Sequence, residues 1–210
     1  MDLTELFEQM DIFKEMLNKT QTLQARCKGY EADDVINSYA EYATRHGGEA
    51  VIVSSDKDFF MCIRENVTVF DAREKDLWDL ARFELEFTYS PKLWIDKGAI
   101  EGEIGKSKDN IFGVEGWGPV NANKYVSEHG DIDAILEFLR NKPEKKRGKR
   151  ENDFIEQEER LRLAKSLKTM DIIEDLPMPH VKYKSYEKEI KNMFIEFGFA
   201  SIMKEAWRFT

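Results

Sequence analysis

The sequence predicts an α/β fold, mostly helical, built on a small parallel sheet. Three observations predict it. The short apolar run Ala50-Val51-Ile52-Val53 reads as a buried parallel strand, and Val67 to Phe70 reads as another. Most of the remaining chain carries apolar residues at helical spacing. A length of 210 residues suits one domain with an appendage, and a hydrophobic content of 41% is enough to fill its core.

Taken in order, Leu6, Phe7, Met10, Ile12, Phe13, Met16 and Leu17 form an apolar stripe that predicts a first helix. A strand is expected over Thr22 to Cys27. Asp33 and Asp34 lie on the turn before Val35, Ile36, Tyr39, Ala40 and Ala43, so they open a helix that Gly47-Gly48 stops. The strand Ala50 to Ser54 and the strand Val67 to Phe70 follow, then a helical connection from Asp76 to Ile100. A glycine-rich turn precedes a helix from Pro119 to about His129. Asp153 to Met170 reads as one long helix, Pro177 and Pro179 mark a turn, and Tyr186 to Phe197 forms a last helix expected to pack back with its neighbours against the core. Three strands leave an uncovered parallel edge with unpaired N–H and C=O groups, so a partner chain or a second copy is expected to complete the sheet.

Two acid clusters dominate the chain. Gly29-Tyr30-Glu31-Ala32-Asp33-Asp34 opens a helix, and Ser54-Ser55-Asp56-Lys57-Asp58 follows a strand, where open α/β sheets bind ligands. Glu31, Asp33, Asp34, Asp56 and Asp58 are thus delivered to one edge of a sheet. So many like charges stay ionised together only with cations between them, and all-oxygen ligation suits Mg²⁺ or Mn²⁺ rather than zinc. Any one of these acids is equally well a helix cap or turn former, but capping needs only one acid per helix. Lys57 is placed either to reduce the repulsion of its neighbours or to face solvent.

A third segment, Asp109-Asn110-Ile111-Phe112-Gly113-Val114-Glu115-Gly116-Trp117-Gly118, places three glycines just before a helix. Such a turn can point backbone N–H groups outward as an anion site for a DNA phosphate. The three segments, in this order, resemble the metal-dependent 5′-nuclease family, the flap endonucleases and 5′-3′ exonucleases of phages and of bacterial DNA polymerase I. Those proteins carry G-x-E-A-D-D, S-x-D-K-D and G-D-x-x-D-N-I-x-G-V-x-G-x-G motifs, the last a helix-hairpin-helix. The resemblance covers Leu6 to Phe199.

The resemblance implies a PIN-like 5′-nuclease core and a hairpin module. By it, residues 1–100 form the acidic metal-binding α/β core, and 101–210 the hairpin and C-terminal helical region. It implies that Glu31, Asp33, Asp34 and Asp56 hold a first divalent ion and that Asp58 and Asp109 hold a second. Asp34, Asp56 and Asp58 are the acids on which catalysis is expected to depend. Where the family has an Asp three residues before its Asp-Asn pair, this chain has Lys106, and Glu103 is the expected replacement. Gly113, Gly116 and Gly118 match the hairpin, where K⁺ is a further candidate ligand. No match to the family's first strand and its basic arch precedes Leu6. The chain is therefore expected to correspond to the C-terminal portion of such a nuclease, split or truncated, with a separate N-terminal polypeptide as a candidate partner.

The net charge of −9 and pI near 5.1 look wrong for a DNA-binding protein, but local charge decides phosphate contact. Lys142, Lys145, Lys146, Arg147, Lys149 and Arg150 form a basic run, continued by Arg160, Arg162, Lys165 and Lys168 on a helix. The run reads either as a solvated, disordered linker or as a duplex contact. Tryptophans 94 and 207 read as core, whereas Trp117 at the hairpin tip can stack on a base or pack against Phe112. His46, His129 and His180 are scattered singly and no Ser-His-Asp or Cys-His constellation is legible. Cys27 and Cys62 read as core thiols in a reducing compartment, and no apolar run is long enough for a membrane span, so a cytoplasmic location is expected.

The activity implied is phosphodiester hydrolysis of DNA 5′ ends, flaps and branched duplexes, as in replication, with two divalent ions about 3.5–4 Å apart. The competing reading is a DNA-binding accessory module that keeps the hairpin without catalysis.

Overall fold

The computed structural model describes residues 3–20, 22–103, 110–178 and 187–199. Two compact units are present, one spanning Glu31–Glu174 and the other combining Met1–Tyr30 with Asp175–Thr210. Among the described residues no helix is long and apolar enough to cross a membrane.

In the second of these units, α1 (Thr4–Asn18) carries the expected stripe, yet none of its residues is fully buried. Met16 packs on Ile190, Met193 and Phe194, the last three lying on α9 (Glu187–Glu196). Thr22 to Cys27 does not form the expected strand: it has no ladder partner among the described residues, and Thr22 to Arg26 are exposed. Strand structure depends on a neighbour that takes its hydrogen bonds, and propensity alone does not provide one. Pro179, Tyr186, His180 and Trp207 lie outside the described residues.

The Glu31–Glu174 unit contains the sheet. The helix α2 (Ala32–Arg45) ends where Gly47 takes a φ of +76°, a conformation glycine adopts without strain. β1 (Ala50–Val53) then pairs in parallel with β2 (Val67–Asp71), Ala50 opposite Val67 and Val53 opposite Phe70. A 3-10 turn, Lys57–Cys62, forms part of the connection and buries Phe59, Phe60 and Cys62. Burial holds the Cys62 thiol up at about 12, so it stays neutral as a core thiol.

A short third strand, β3 (Asp76–Trp78), adds antiparallel to β2, with Val69 opposite Trp78. The sheet is therefore mixed, in the order β1-β2-β3, and β1 lies at its edge. Asp71 shapes the β2–β3 turn by accepting the N–H groups of Arg73 and Glu74 at 2.9 and 3.1 Å. Ile52 is buried, but Val51 and Val53 on the other face of β1 are 62% and 65% exposed. The expectation of a strand covered on both faces is thus met on one only. An apolar groove lined by Ile36, Tyr39, Val51 and Val53 runs between α2 and β1.

Helices α3 (Leu80–Phe87), α4 (Trp94–Glu101), α5 (Pro119–His129), α6 (Ile132–Asn141), α7 (Lys149–Glu156) and α8 (Glu158–Lys168) complete the unit. The expected single helix from Asp153 to Met170 instead starts at Lys149 and breaks at Gln157, with no Gly or Pro to signal it. The aromatic centre of the core is Phe60, which contacts Trp78, Phe83, Phe87 and Trp94 with ring centroids 4.7 to 6.4 Å apart. α8 packs along α4, and Leu161 and Ala164 are buried there.

Phe83 is fully buried, whereas Leu85, two residues along the same helix, is 84% exposed. Phe83→Ala should therefore lower unfolding free energy by about 3–5 kcal/mol. Leu85→Ala should stay within about 0.5 kcal/mol of the parent in the same urea titration.

Candidate metal and nucleic-acid site

The first acid cluster is built into the start of α2. Glu31 is the N-cap residue, and Asp34 accepts its N–H through Oδ2 at 3.1 Å. Oδ1 of Asp34 accepts the N–H of Asp171 at 2.7 Å, which ties the chain after α8 to the head of α2. Asp33 Oδ1 accepts the N–H of Asp34 at 3.0 Å. The positive end of the helix dipole offsets part of the repulsion among these groups. Capping and charge clustering therefore coexist here, because each hydrogen bond takes only one of the lone pairs on a carboxylate oxygen.

The second cluster leaves the C-terminal end of β1. Ser54 N–H continues the ladder to Phe70 O at 3.0 Å, and Ser54 Oγ accepts the N–H of Asp56 at 3.1 Å. Asp56 Oδ1 accepts the N–H of Asp58 at 2.9 Å and so caps the 3-10 turn. Asp58 is aimed inward and meets Lys168, the last residue of α8. The ammonium of Lys168 donates to Asp58 Oδ1 and Oδ2 at 3.3 and 3.1 Å, and to Glu103 Oε1 at 2.9 Å. Its side chain is only 4% exposed.

Burial pushes the Asp58 carboxyl above its ordinary value, opposed by Lys168 and reinforced by Asp56 and Glu103. For Lys168, burial would favour the neutral amine, but the hydrogen bonds to Glu103 and Asp58 outweigh it and keep the charge. Lys57 is exposed, and the cation that stands between Asp58 and Glu103 is Lys168. A cleft of 370 Å³ opens beside Asp58 and Glu103, walled by Trp94, Lys97 and Gly98.

Among the described residues no three of His, Cys, Asp and Glu stand close enough to enclose a metal ion, and Asp109 lies outside those residues. Asp58 and Glu103 nevertheless fit a cation, because they converge on one. Their oxygen-only donors suit a hard divalent ion such as Mg²⁺ or Mn²⁺. Glu31, Asp33, Asp34 and Asp56 are placed at the head of α2 and the end of β1 but are not drawn into one cage.

The glycine-rich turn joins α4 to α5. Gly102 and Gly113 lie back to back: a Cβ on Gly102 would stand 2.1 Å from Gly113 N, and one on Gly113 would stand 2.4 Å from the carbonyl of Glu101. Gly113 is thus a packing requirement between two backbones. Gly116 has a φ of +80° and faces the Arg150 side chain, whereas Gly118, the N-cap of α5, has open space around it. Only Gly118 leaves room for a ligand to approach the start of that helix.

Trp117 is 2% exposed and packs against Tyr125 and Phe154, while its indole N–H donates to Arg150 O at 3.0 Å. It is a core residue and neither stacks outward nor pairs with Phe112, which is exposed under the guanidinium of Arg160. The basic run is likewise ordered. Lys142 and Tyr125 donate to the buried Glu151 at 2.8 and 2.9 Å, and Gly148 N–H donates to its other oxygen at 2.8 Å. Lys145, Lys146, Lys149 and Arg150 are exposed, and Arg147 is half-buried.

Of its continuation on α8, Lys165 and Lys168 turn inward, whereas Arg160 and Arg162 are exposed. Arg162 pairs with Glu158 and Asp133, and Lys165 pairs with the buried Asp96 at 2.7 Å. Sequence reasoning missed Lys168 as a partner of the acids. The legible signal was Gly98, an isolated glycine inside a helical pattern, where it costs about 1 kcal/mol against alanine.

Residues 3–88 match the model of the 5′-3′ exonuclease N-terminal resolvase-like domain, and residues 89–191 that of the 5′-3′ exonuclease C-terminal SAM fold. The 5′-3′ exonuclease of Aquifex aeolicus is 29% identical over 202 residues, covering 94% of this chain and 66% of that protein. DNA polymerase I of Rhizobium leguminosarum is 32% identical over 133 residues, 63% of this chain and 13% of the polymerase. DNA polymerase I of Bacillus subtilis is 28% identical over 208 residues, 95% of this chain and 23% of the polymerase. The chain thus spans less than a quarter of the length of these polymerases.

Among solved structures, T5 5′-exonuclease with bound divalent zinc ions superposes with a TM-score of 0.57 at 21% identity, covering 87% of this chain and 61% of that one. The catalytic core of Rad2 in complex with DNA gives 0.55 at 14% identity, covering 90% and 64%. At these identities the likeness is one of fold.

Gly113→Ala should lower unfolding free energy by about 3 kcal/mol, because backbone flanks its Cβ and cannot move aside. Gly118→Ala should change it by less than about 0.5 kcal/mol, both read by urea denaturation. For Glu151, burial would raise the pKa, but the hydrogen bonds from Lys142, Gly148 and Tyr125 hold it below its ordinary 4.5. A depressed carboxyl contributes stability that is present above its unfolded pKa and lost as pH falls through the folded one. The melting-temperature gap between parent and Glu151→Gln should therefore be full at neutral pH and narrow below about pH 4.

Proposed function

Because the chain belongs to the 5′-3′ exonuclease family, we propose that it serves metal-dependent 5′-3′ exonucleolytic or flap cleavage of DNA, by hydrolysis of phosphodiester bonds with two divalent ions. The observation that carries this reading is the convergence of Asp58 and Glu103 on one cation at the end of the sheet, beside the cleft next to the hairpin. Its outline agrees with the relatives and structures named above, among them an exonuclease, a metal-bound exonuclease and a DNA-bound catalytic core.

In this reading Glu31, Asp33, Asp34 and Asp56 hold one Mg²⁺ or Mn²⁺, and Asp58, Glu103 and Asp109 hold the other. When bound, such ions supply a water of lowered pKa and neutralise charge on the phosphate and the leaving oxygen. The chain's own part is positioning. Asp56, anchored to Ser54 and capping the 3-10 turn, holds its carboxylate at the strand end, and Asp34 is held from two sides by Glu31 and Asp171. No side-chain nucleophile is required.

The turn Gly113, Gly116 and Gly118 presents the start of α5 to a DNA phosphate, with K⁺ as a candidate bridging ion, and Gly118 supplies the open approach. Lys145, Lys146, Lys149 and Arg150, with Arg147 behind them, contact the duplex backbone by releasing its counterions, so affinity falls steeply with salt. The exposed Val51–Val53 face and free edge of β1 support a further strand, supplied by another nuclease polypeptide carrying the family's first strand and basic arch. The reducing cytoplasm suits the two free thiols, Cys27 and Cys62.

The test measures cleavage of 5′-flap and duplex-end DNA in Mn²⁺, with and without such a polypeptide. Addition should raise a very weak rate by orders of magnitude, since it supplies the groups that position the phosphate. Asp56→Ala should abolish the gain. If the complex forms and binds DNA but never cleaves it, the chain is a DNA-binding module and the catalytic reading falls. Independently, millimolar Mn²⁺ should raise the melting temperature of the chain over that in chelator, and no shift would count against the metal site.

A further inference from the structure

We propose that the Lys168 ammonium is the resident cation of the Asp58–Glu103 pair, and that a divalent ion reaches these carboxylates only by displacing it. This rests on the metal reading above and goes beyond it, by assigning the second ion position an internal competitor.

Three independent features place the lysine there. Its Nζ lies within hydrogen-bond distance of three oxygens on two carboxylates, with the side chain 4% exposed. An ammonium so enclosed is not a surface charge that happens to lie near acids. The stem is also given a path. A Cβ on Gly98 would stand 2.8 Å from Lys168 Cε and 3.2 Å from Cδ, so α4 carries a glycine where the lysine crosses it. Finally, α8 is pinned one turn earlier by Lys165, whose ammonium meets the buried Asp96 on α4, and Asp96 also accepts the N–H of Ile132 at 3.1 Å. Lys165 fixes the helix, and Lys168 reaches past Gly98 to the acids.

The chemistry makes the two cations exclusive. Asp58 uses both oxygens on Lys168, and Glu103 uses Oε1, so an ion bound between the same oxygens would stand against a like charge. A four-carbon stem can swing, unlike a backbone group, so the site is one that opens by side-chain movement. Apparent affinity for a divalent ion is then reduced by the fraction of molecules in which the lysine has moved aside. The acids at the head of α2 and Asp56 make no such contact with Lys168, so the effect is confined to one ion position.

The experiment is a Mn²⁺ titration of the full chain, followed by the loss of the free-ion electron paramagnetic resonance signal. Lys168→Met should tighten a binding event by about tenfold or more, and adding Asp58→Asn should remove that gain. Gly98→Ala keeps the charge but pushes the stem aside, and it should tighten the same event. Lys168→Arg keeps a cation and should bind as the parent does. Lys168→Met should also melt lower than the parent in chelator and recover in millimolar Mn²⁺, so a variant poorly folded without metal still reports. Equal Mn²⁺ affinity in the parent, Lys168→Met and Gly98→Ala would overturn the displacement while leaving the metal site standing. If no variant and not the parent bound Mn²⁺, the metal reading would fall and the displacement with it.

Discussion

Carboxylates gathered from separate parts of a chain repel one another, and the fold can bring them together only by supplying positive charge among them. In this protein Asp58 comes from the 3-10 turn after β1, Glu103 from just beyond α4, and the neutralising ammonium from the end of α8. The three elements must therefore be in register before the ion pairs close. The Lys165–Asp96 pair and the backbone contact of Gly102 with Gly113 fix that register, one along α8 and the other at the turn after α4. Packing of α8 on α4 is thus an electrostatic as well as an apolar requirement.

The acids at the head of α2 obey the same constraint by another route. There the compensating charge is partial and comes from backbone N–H groups, including that of Asp171, more than a hundred residues away in sequence. A carboxylate that caps a helix and also belongs to a charged cluster has two roles that a single substitution removes together. Loss of Asp34 would unfasten the segment after α8 as well as alter the cluster, so a stability measurement must accompany any functional one.

Much of the fold was legible because it rests on local pattern. The α1 stripe, the helix between Asp33 and Gly47, the strand at Ala50, and the helix opened by Pro119 follow from periodicity and punctuation alone. The acid clusters were legible as clusters for the same reason. What escaped depends on partners distant in sequence. Thr22 to Cys27 has strand-like composition but no ladder, and β3 forms from three residues because β2 offers an edge. Trp117 lies in a glycine-rich turn, yet Phe154 and Tyr125 close over it. Arg162, Lys165 and Lys168 read as a basic helix face until their acids, 29 to 110 positions earlier, are seen to meet them.

The crossing of the Lys168 stem over Gly98 also has an evolutionary reading. Neither residue explains itself: a glycine weakens the interior of α4, and a lysine among core residues must be desolvated. Each is tolerable because of the other, so the two positions should be inherited as a pair. Homologues that fill position 98 with a side chain should have dropped the lysine at 168, and those that keep the lysine should keep the glycine. Such covariation would be visible in an alignment of relatives without reference to any activity.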